Sequence, residues 1–168
     1  PYCNPREKGF GVSVNFTNHA CMDIGMVVDR KTGKRFMDEH AGRKIKADAL
    51  FKVIGTDENY PIALCDDATV HAINPSFVKL PLEMGTVKKF NTLEELADYF
   101  KINKAPFLEE VQKFNGYVKA EDDKDFHRIL KFNKGLDVSK APFYGIECCP
   151  KIHHTMGGVR INTKAQVI

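Results

Sequence analysis

No apolar run in these 168 residues approaches the ~20 that a membrane-spanning helix needs. The start shows no h-region of a secretory signal. The five cysteines (Cys3, Cys21, Cys65, Cys148 and Cys149) are odd in number and contain no C-x-x-C. That argues against a disulfide framework, and a covalent haem site would need C-x-x-C-H. The compartment stays open between bacterial periplasm and cytoplasm. A zinc site from Cys148, Cys149, His153 and His154 has the right ligand types. Neighbouring cysteines on a strand diverge, however, and cannot close one tetrahedral site, so no metal is expected. A strong excess of one charge is missing too. The net charge is +3, and acids interrupt the bases throughout, as in KTGKRFMDEHAGRKIKAD. A nucleic-acid partner is therefore not expected. Repeats and low-complexity tracts are absent, and so is an initial methionine. The chain starts at Pro1, from which we expect a piece cut from a longer polypeptide.

What remains is a globular composition, 43% apolar and 28% charged. A chain of this length hides roughly 70% of its unfolded surface. Alternation from Phe10 to Phe16 predicts a strand. GMVVDRKTGKRFMDE predicts a hairpin turning near Lys31-Thr32-Gly33. Ile45, Ala49, Leu50 and Val53, followed by Gly55, predict a helix. Tyr60 to Cys65 reads as a buried strand, with Asp66 or Asp67 capping a short helix toward Ile73. Thr92 and Glu95 form a capping box ahead of Leu93, Leu96, Ala97 and Phe100. Phe107, Val111, Phe114 and Val118 mark one face of a helix that starts near Pro106. Strands are expected at Phe143–Cys149 and Val159–Asn162. The fold class is α+β: small antiparallel sheet pieces with helices packed on one side.

The segment KIHHTMGGVRIN (Lys151 to Asn162) raises a chemical question. On an extended chain His153 and His154 point to opposite sides, so they serve two ligands more readily than one. Gly157 and Gly158 let a flat group approach the main chain, or permit a turn. An ordinary turn with two surface histidines explains the same residues.

HHTMGGVRINTKAQV resembles the H-H-T-M-G-G-x-x-I-D-T-K-A-x-V signature of soluble fumarate reductases of the flavocytochrome c type. These belong to the flavoprotein family of succinate dehydrogenase, urocanate reductase and ketosteroid dehydrogenases. TGKRFMDEHAGRKIKADA resembles that family's G-K-R-F-x-N-E-x-x-x-R segment. Lys113 to Tyr117 resembles its A-x-Y-N-G stretch, and APFYGIE its P-F-Y-A-I strand. Asp125-Phe126-His127-Arg128 resembles D-x-x-F-x-R with shortened spacing. The family's G-x-G-x-x-G strand–turn–helix for FAD is missing, as is its C-terminal G-A-N-R block. The resemblance therefore implies a capping (clamp) domain over residues 1–150, inserted in a larger FAD-binding flavoprotein. Residues 151–168 would be a strand returning to the FAD-binding domain of the same polypeptide, whose other parts hold most of the FAD.

The implied chemistry moves a hydride from the flavin to the C=C bond of an unsaturated carboxylate, fumarate by default. Urocanate or methacrylate remain as alternatives, as does an interaction module without catalysis. By resemblance Arg43 is proton donor and carboxylate clamp. An arginine is a poor general acid on chemical grounds, whereas its planar fork suits a carboxylate. His153 would donate to the substrate, and His154, Thr155, Met156, Gly157 and Gly158 would meet the cofactor. The family's T-E-A-V-R-G stretch is replaced here by FTNHACMDIG, in which Thr17 or His19 stands in for the substrate-binding threonine. The resemblance leaves room for an electron-donor haem domain or protein, and the isolated fragment is expected to be inactive.

Overall fold

The computed structural model describes residues 2–8, 11–152 and 157–168. In chain order its elements are β1 (Tyr2–Cys3), a π-helix (Phe16–Met22), β2 (Met26–Val28), α1 (Arg43–Ile54) and β3 (Ile62–Asp66). Then come α2 (Asp67–Ala72), α3 (Ser76–Glu83), β4 (Lys88–Phe90), α4 (Leu93–Phe100) and α5 (Lys104–Ala120). A 3-10 turn (Leu130–Asn133), β5 (Phe143–Glu147) and β6 (Cys149–Pro150) complete it.

Strand alternation organises the core. β3 and β5 pair antiparallel from Ile62↔Glu147 to Asp66↔Phe143, at the centre of a sheet ordered β2-β3-β5-β4. Successive side chains face opposite sides. Val27, Ala63, Cys65, Tyr144 and Ile146 enter one apolar layer, with Phe16, Ala20 and Met22 of the π-helix, Leu50 of α1 and Val78 of α3. Met26, Val28, Ile62, Leu64 and Phe143 enter the other, against Leu96 and Phe100 of α4 and Phe107, Val111, Phe114 and Val118 of α5. The α+β class is as expected. Helices nonetheless cover both faces of the larger sheet, because its central strands are apolar on both sides. β1 and β6 form a separate two-stranded sheet, Tyr2↔Pro150 and Cys3↔Cys149.

α4 and α5 follow their sequence signals. Thr92 Oγ1 accepts from the Glu95 amide at 3.1 Å, while the Glu95 carboxylate takes the Asn91 amide, one residue earlier than a standard box. Gly145 lets α4 lie directly on β5, since a Cβ there would stand 2.7 Å from the Phe100 ring. α1 covers the expected span, but it buries Leu50 and Ile54 and leaves Ile45 exposed.

Three local expectations are corrected. Of the strand expected at Phe10–Phe16, Phe10 lies outside the described residues, and the remainder gives way to a bend and to the π-helix that Phe16 opens. Phe16, Ala20 and Cys21 share one buried side, and wide i→i+5 bonds such as Asp23 N–H to Asn18 O (2.9 Å) accommodate them. The hairpin shrinks to one bridge, Val28↔Arg35, because β2 pairs along its length with β3. The strand at Val159–Asn162 is a single bridge, Ile161↔Val167, on a segment where every residue from 157 to 168 except Asn162 is exposed.

Candidate functional site

The segment from Gly33 to Arg43 first turns, then dives, then surfaces. Gly33 has φ +72°, and a Cβ on it would lie 2.5 Å from Asn103 O, so only glycine fits between this turn and the start of α5. Arg35 and Glu39 are then drawn inside with fully buried side chains. Arg35 Nε donates to Glu39 Oε1 at 3.0 Å and Nη2 to Oε2 at 2.7 Å, a two-pronged pair. Arg35 Nη2 also reaches Asp123 Oδ2 at 2.9 Å. Arg128 Nη1 lies 3.3 Å from Glu39 Oε2 and donates to Gly25 O at 2.7 Å, while its Nη2 donates to Asp23 O at 2.9 Å. The Val27 amide closes on Glu39 Oε1 at 3.1 Å.

Two guanidiniums and two carboxylates thus balance in the interior, which is the condition under which buried charge is tolerated. Burial pushes the Glu39 carboxyl up, but Arg35 and Arg128 outweigh that and hold it below the ordinary carboxylate range. Asp123 is likewise lowered against the pull of burial, by Arg35 and by the Phe126 and Asp125 amides. Phe114 lies against both arginines, 5.0 Å from Arg35 and 5.4 Å from Arg128, and Phe126 flanks Arg35 at 5.0 Å. The sequence reading missed this cluster and began D-x-x-F-x-R at Asp125. The interior aspartate is Asp123, which with Phe126 and Arg128 restores the unshortened spacing. That spacing was the available signal. Asp125 instead sits outside, 2.7 Å from Lys113 Nζ.

Arg43, like Lys34 at the other end of this segment, stays outside. It opens α1, whose N-terminus no side chain caps, and its carbonyl accepts from Tyr2 Oη at 3.0 Å. Among the described residues its guanidinium meets no carboxylate within 4 Å. Lys46, one turn on, donates to Glu39 O at 2.9 Å and borders a cavity of about 640 Å³ with His19, Asp23, His40, Ile129 and Phe132. His19 Nδ1 stands 3.0 Å from Asp23 Oδ2 on that rim. Thr17 is placed otherwise than expected. It is fully buried in the π-helix, and its hydroxyl donates to Ser13 O at 3.0 Å, so it is not presented to a substrate.

His153, His154, Thr155 and Met156 lie outside the described residues. Gly157 and Gly158 are exposed, with no atom within 4 Å of where a Cβ would stand. Gly157 has φ +151°, which itself favours glycine; at Gly158 nothing among the described residues demands one. A bare stretch of main chain open to the outside fits a flat group such as a flavin, but it is an edge for one and not a cradle. Among the described residues no group of three His, Cys, Asp or Glu side chains could hold a metal ion, and no helix is long and apolar enough to cross a membrane.

Residues 7–168 match the family described as FAD binding domain. The acrylate reductase flavoprotein subunit of Shewanella woodyi is 34% identical over 171 residues, covering 99% of this chain and 33% of that protein. The chain therefore spans about a third of the length of this curated relative. A flavocytochrome c3 fumarate reductase, solved in an open conformation, superposes with a TM-score of 0.73 at 26% identity, over 100% of this chain and 28% of that one. A solution structure from the fumarate reductase flavoprotein subunit of Lactobacillus plantarum shares the fold (TM-score 0.59, 22% identity). It covers 84% of this chain and 93% of its own.

Proposed function

We propose, from the premise that this chain belongs to the FAD binding domain family, that it is the capping part of a flavin-dependent reductase acting on an unsaturated carboxylate. The observation that carries the reading is the contrast within one segment. Arg35 and Glu39 are buried and neutralised, whereas Arg43 stands unpaired among the described residues, at an uncapped helix start. A guanidinium fork beside free amides at the positive end of a helix suits a carboxylate. When bound and reduced, FAD would supply the hydride to one carbon of the C=C bond.

In this reading Arg43 holds the substrate carboxylate, where negative charge grows in the transition state, and supplies the proton to the other carbon. A fixed cation at that point stabilises the transition state more than the ground state. The buried cluster anchors the segment that ends at Arg43, so the guanidinium is presented from a rigid support. Closure of the domain over the substrate would exclude water and strengthen that attraction. Residues 151–168 are the seam with the FAD-binding domain. Gly157 and Gly158 would lie against the flavin, and His153 and His154 between flavin and substrate. Thr17 has no part in this site.

Acrylate stands first among substrates, since the relative named for it aligns over 99% of the chain. Fumarate and urocanate are the alternatives to assay beside it. The test is full-length protein with Arg43→Ala. Flavin absorbance should persist while reduction of acrylate and fumarate by a reduced dye falls by two or more orders of magnitude. Turnover that survives the change removes Arg43 from the reaction.

A further inference from the structure

Far from Arg43 the structure holds a second concave site. The two ends of α1 are roughly 17 Å apart at 1.5 Å per residue. Its first turn leans on Glu39 through Lys46. Its last turn offers Val53 O to Asn59 Nδ2 (3.3 Å), which also donates to Asp29 Oδ1 at 2.7 Å. Arg30 follows directly and enters a cavity of about 480 Å³ lined also by Arg6, Lys88, Lys101, Tyr99 and Glu147.

The charge in this cavity is one-sided. Among the described residues that line it Glu147 is the one carboxylate, and it is already engaged, by Arg30 Nη2 at 2.9 Å and by Arg6 Nη1. Arg30 Nη2 also donates to Tyr60 O at 3.0 Å, yet its buried Nε finds no partner among the described residues. Burial and the neighbouring Arg6 push the Arg30 guanidinium down, as expected of positive charge that is not fully balanced. Lys88 and Lys101 meet no carboxylate within 4 Å among the described residues, although both border the same space. Gly85 leaves room for the Lys88 amine, since a Cβ there would stand 3.2 Å from Nζ. Tyr99 is 55% exposed, and its ring is braced edge-on by Phe100 at 4.9 Å.

We propose that this cavity binds a small organic phosphate carrying a planar ring, a nucleoside phosphate in chemical class. The volume lies within the ~300–1,000 Å³ common for small-molecule sites. Four cations around one occupied carboxylate call for more than one negative charge. Arginine forks and lysine amines are the donors that phosphate oxygens take, and the exposed Tyr99 face offers a stacking surface to the ring. The site is independent of the reductase reading: it shares no residue with Arg43 or the seam and stands whether or not that reading holds.

Calorimetric titration of the 168-residue chain with pyrophosphate and with ADP tests it, alongside Lys88→Glu/Lys101→Glu and Tyr99→Ala. Both substituted lysines lie at least partly in solvent, and circular dichroism checks that the variants remain folded. Saturable binding of both probes is expected, with ADP at least tenfold tighter. The double lysine variant should lose at least tenfold for both, and Tyr99→Ala only the advantage of ADP. No saturable binding at millimolar concentration, or affinity unchanged in the lysine variant, overturns the site. Equal affinity for the two probes overturns the stacking role of Tyr99.

Discussion

Glu39→Gln removes one charge from the buried cluster and turns the oxygen that accepts from Arg35 Nη2 and Arg128 Nη1 into an amide donor. The amide keeps the shape of the side chain and an oxygen for the Val27 amide, now 3.1 Å from Glu39 Oε1. Arg35 then keeps Asp123, while Arg128, whose side chain is also fully buried, has no carboxylate partner left among the described residues. Breaking a buried ion pair from one side costs about 3–5 kcal/mol. For a chain of this size that corresponds to a fall in Tm of roughly 6–20 °C. The effect has a pH signature. The Glu39 carboxyl is held below its ordinary value, so its stabilisation is fully present above the unfolded-state value near ~4.3 and is lost as pH falls through the lower folded-state value. Urea unfolding followed by circular dichroism should show a wide gap between parent and variant at pH 7, narrowing in acid below about pH 4. A variant within about 1 kcal/mol of the parent at pH 7, where such buried pairs are worth several, would refute the cluster as drawn. So would a gap that stays constant down to acid unfolding.

Thr92→Ala removes the side-chain acceptor of the Glu95 amide and should cost about 1 kcal/mol in the same urea experiment; no loss would mean that the cap is replaced by water. Thiol labelling of the folded chain at pH 8 should modify Cys149 alone, and slowly, because burial raises even that half-buried thiol. Burial pushes Cys3 up to about 11, and Cys21 and Cys148 are held up by burial as well. All five should react in denaturant, and a fast thiol, or a second reactive one, in the folded state would contradict this packing.

The parts of the fold that were legible in the sequence are those whose stabilisation is local. The Thr92 cap and the Phe107–Val118 stripe need only neighbours within a few residues, and both helices formed where expected. The region around Phe16 misled because Val12, Val14 and Phe16 alternate like a strand, while the sheet behind them selects for Phe16, Ala20 and Cys21 on one side of a wide helix. The ion cluster was opaque for a different reason. Arg35 meets Asp123 across 88 positions, and nothing in a single sequence says which of several aspartates lies inward. Arg43 was legible only through its motif, and its solitude emerges only once its neighbours are seen to be paired. The one-sided charge of the second cavity was invisible, because Arg6, Arg30, Lys88, Lys101 and Glu147 come from five separate stretches of chain.

The small β1–β6 ribbon has a mechanical consequence. Positions 2 and 150 sit on one rung, so the backbone enters and leaves the packed body side by side. Only Cys148 separates β6 from β5, and Tyr2 packs in the same apolar layer as Tyr144 and Ile146, so tension that draws those two positions apart passes to the four-stranded sheet once two rungs have opened. The ribbon is thus a two-rung clasp seated on the packed body, and its opening exposes part of the interior.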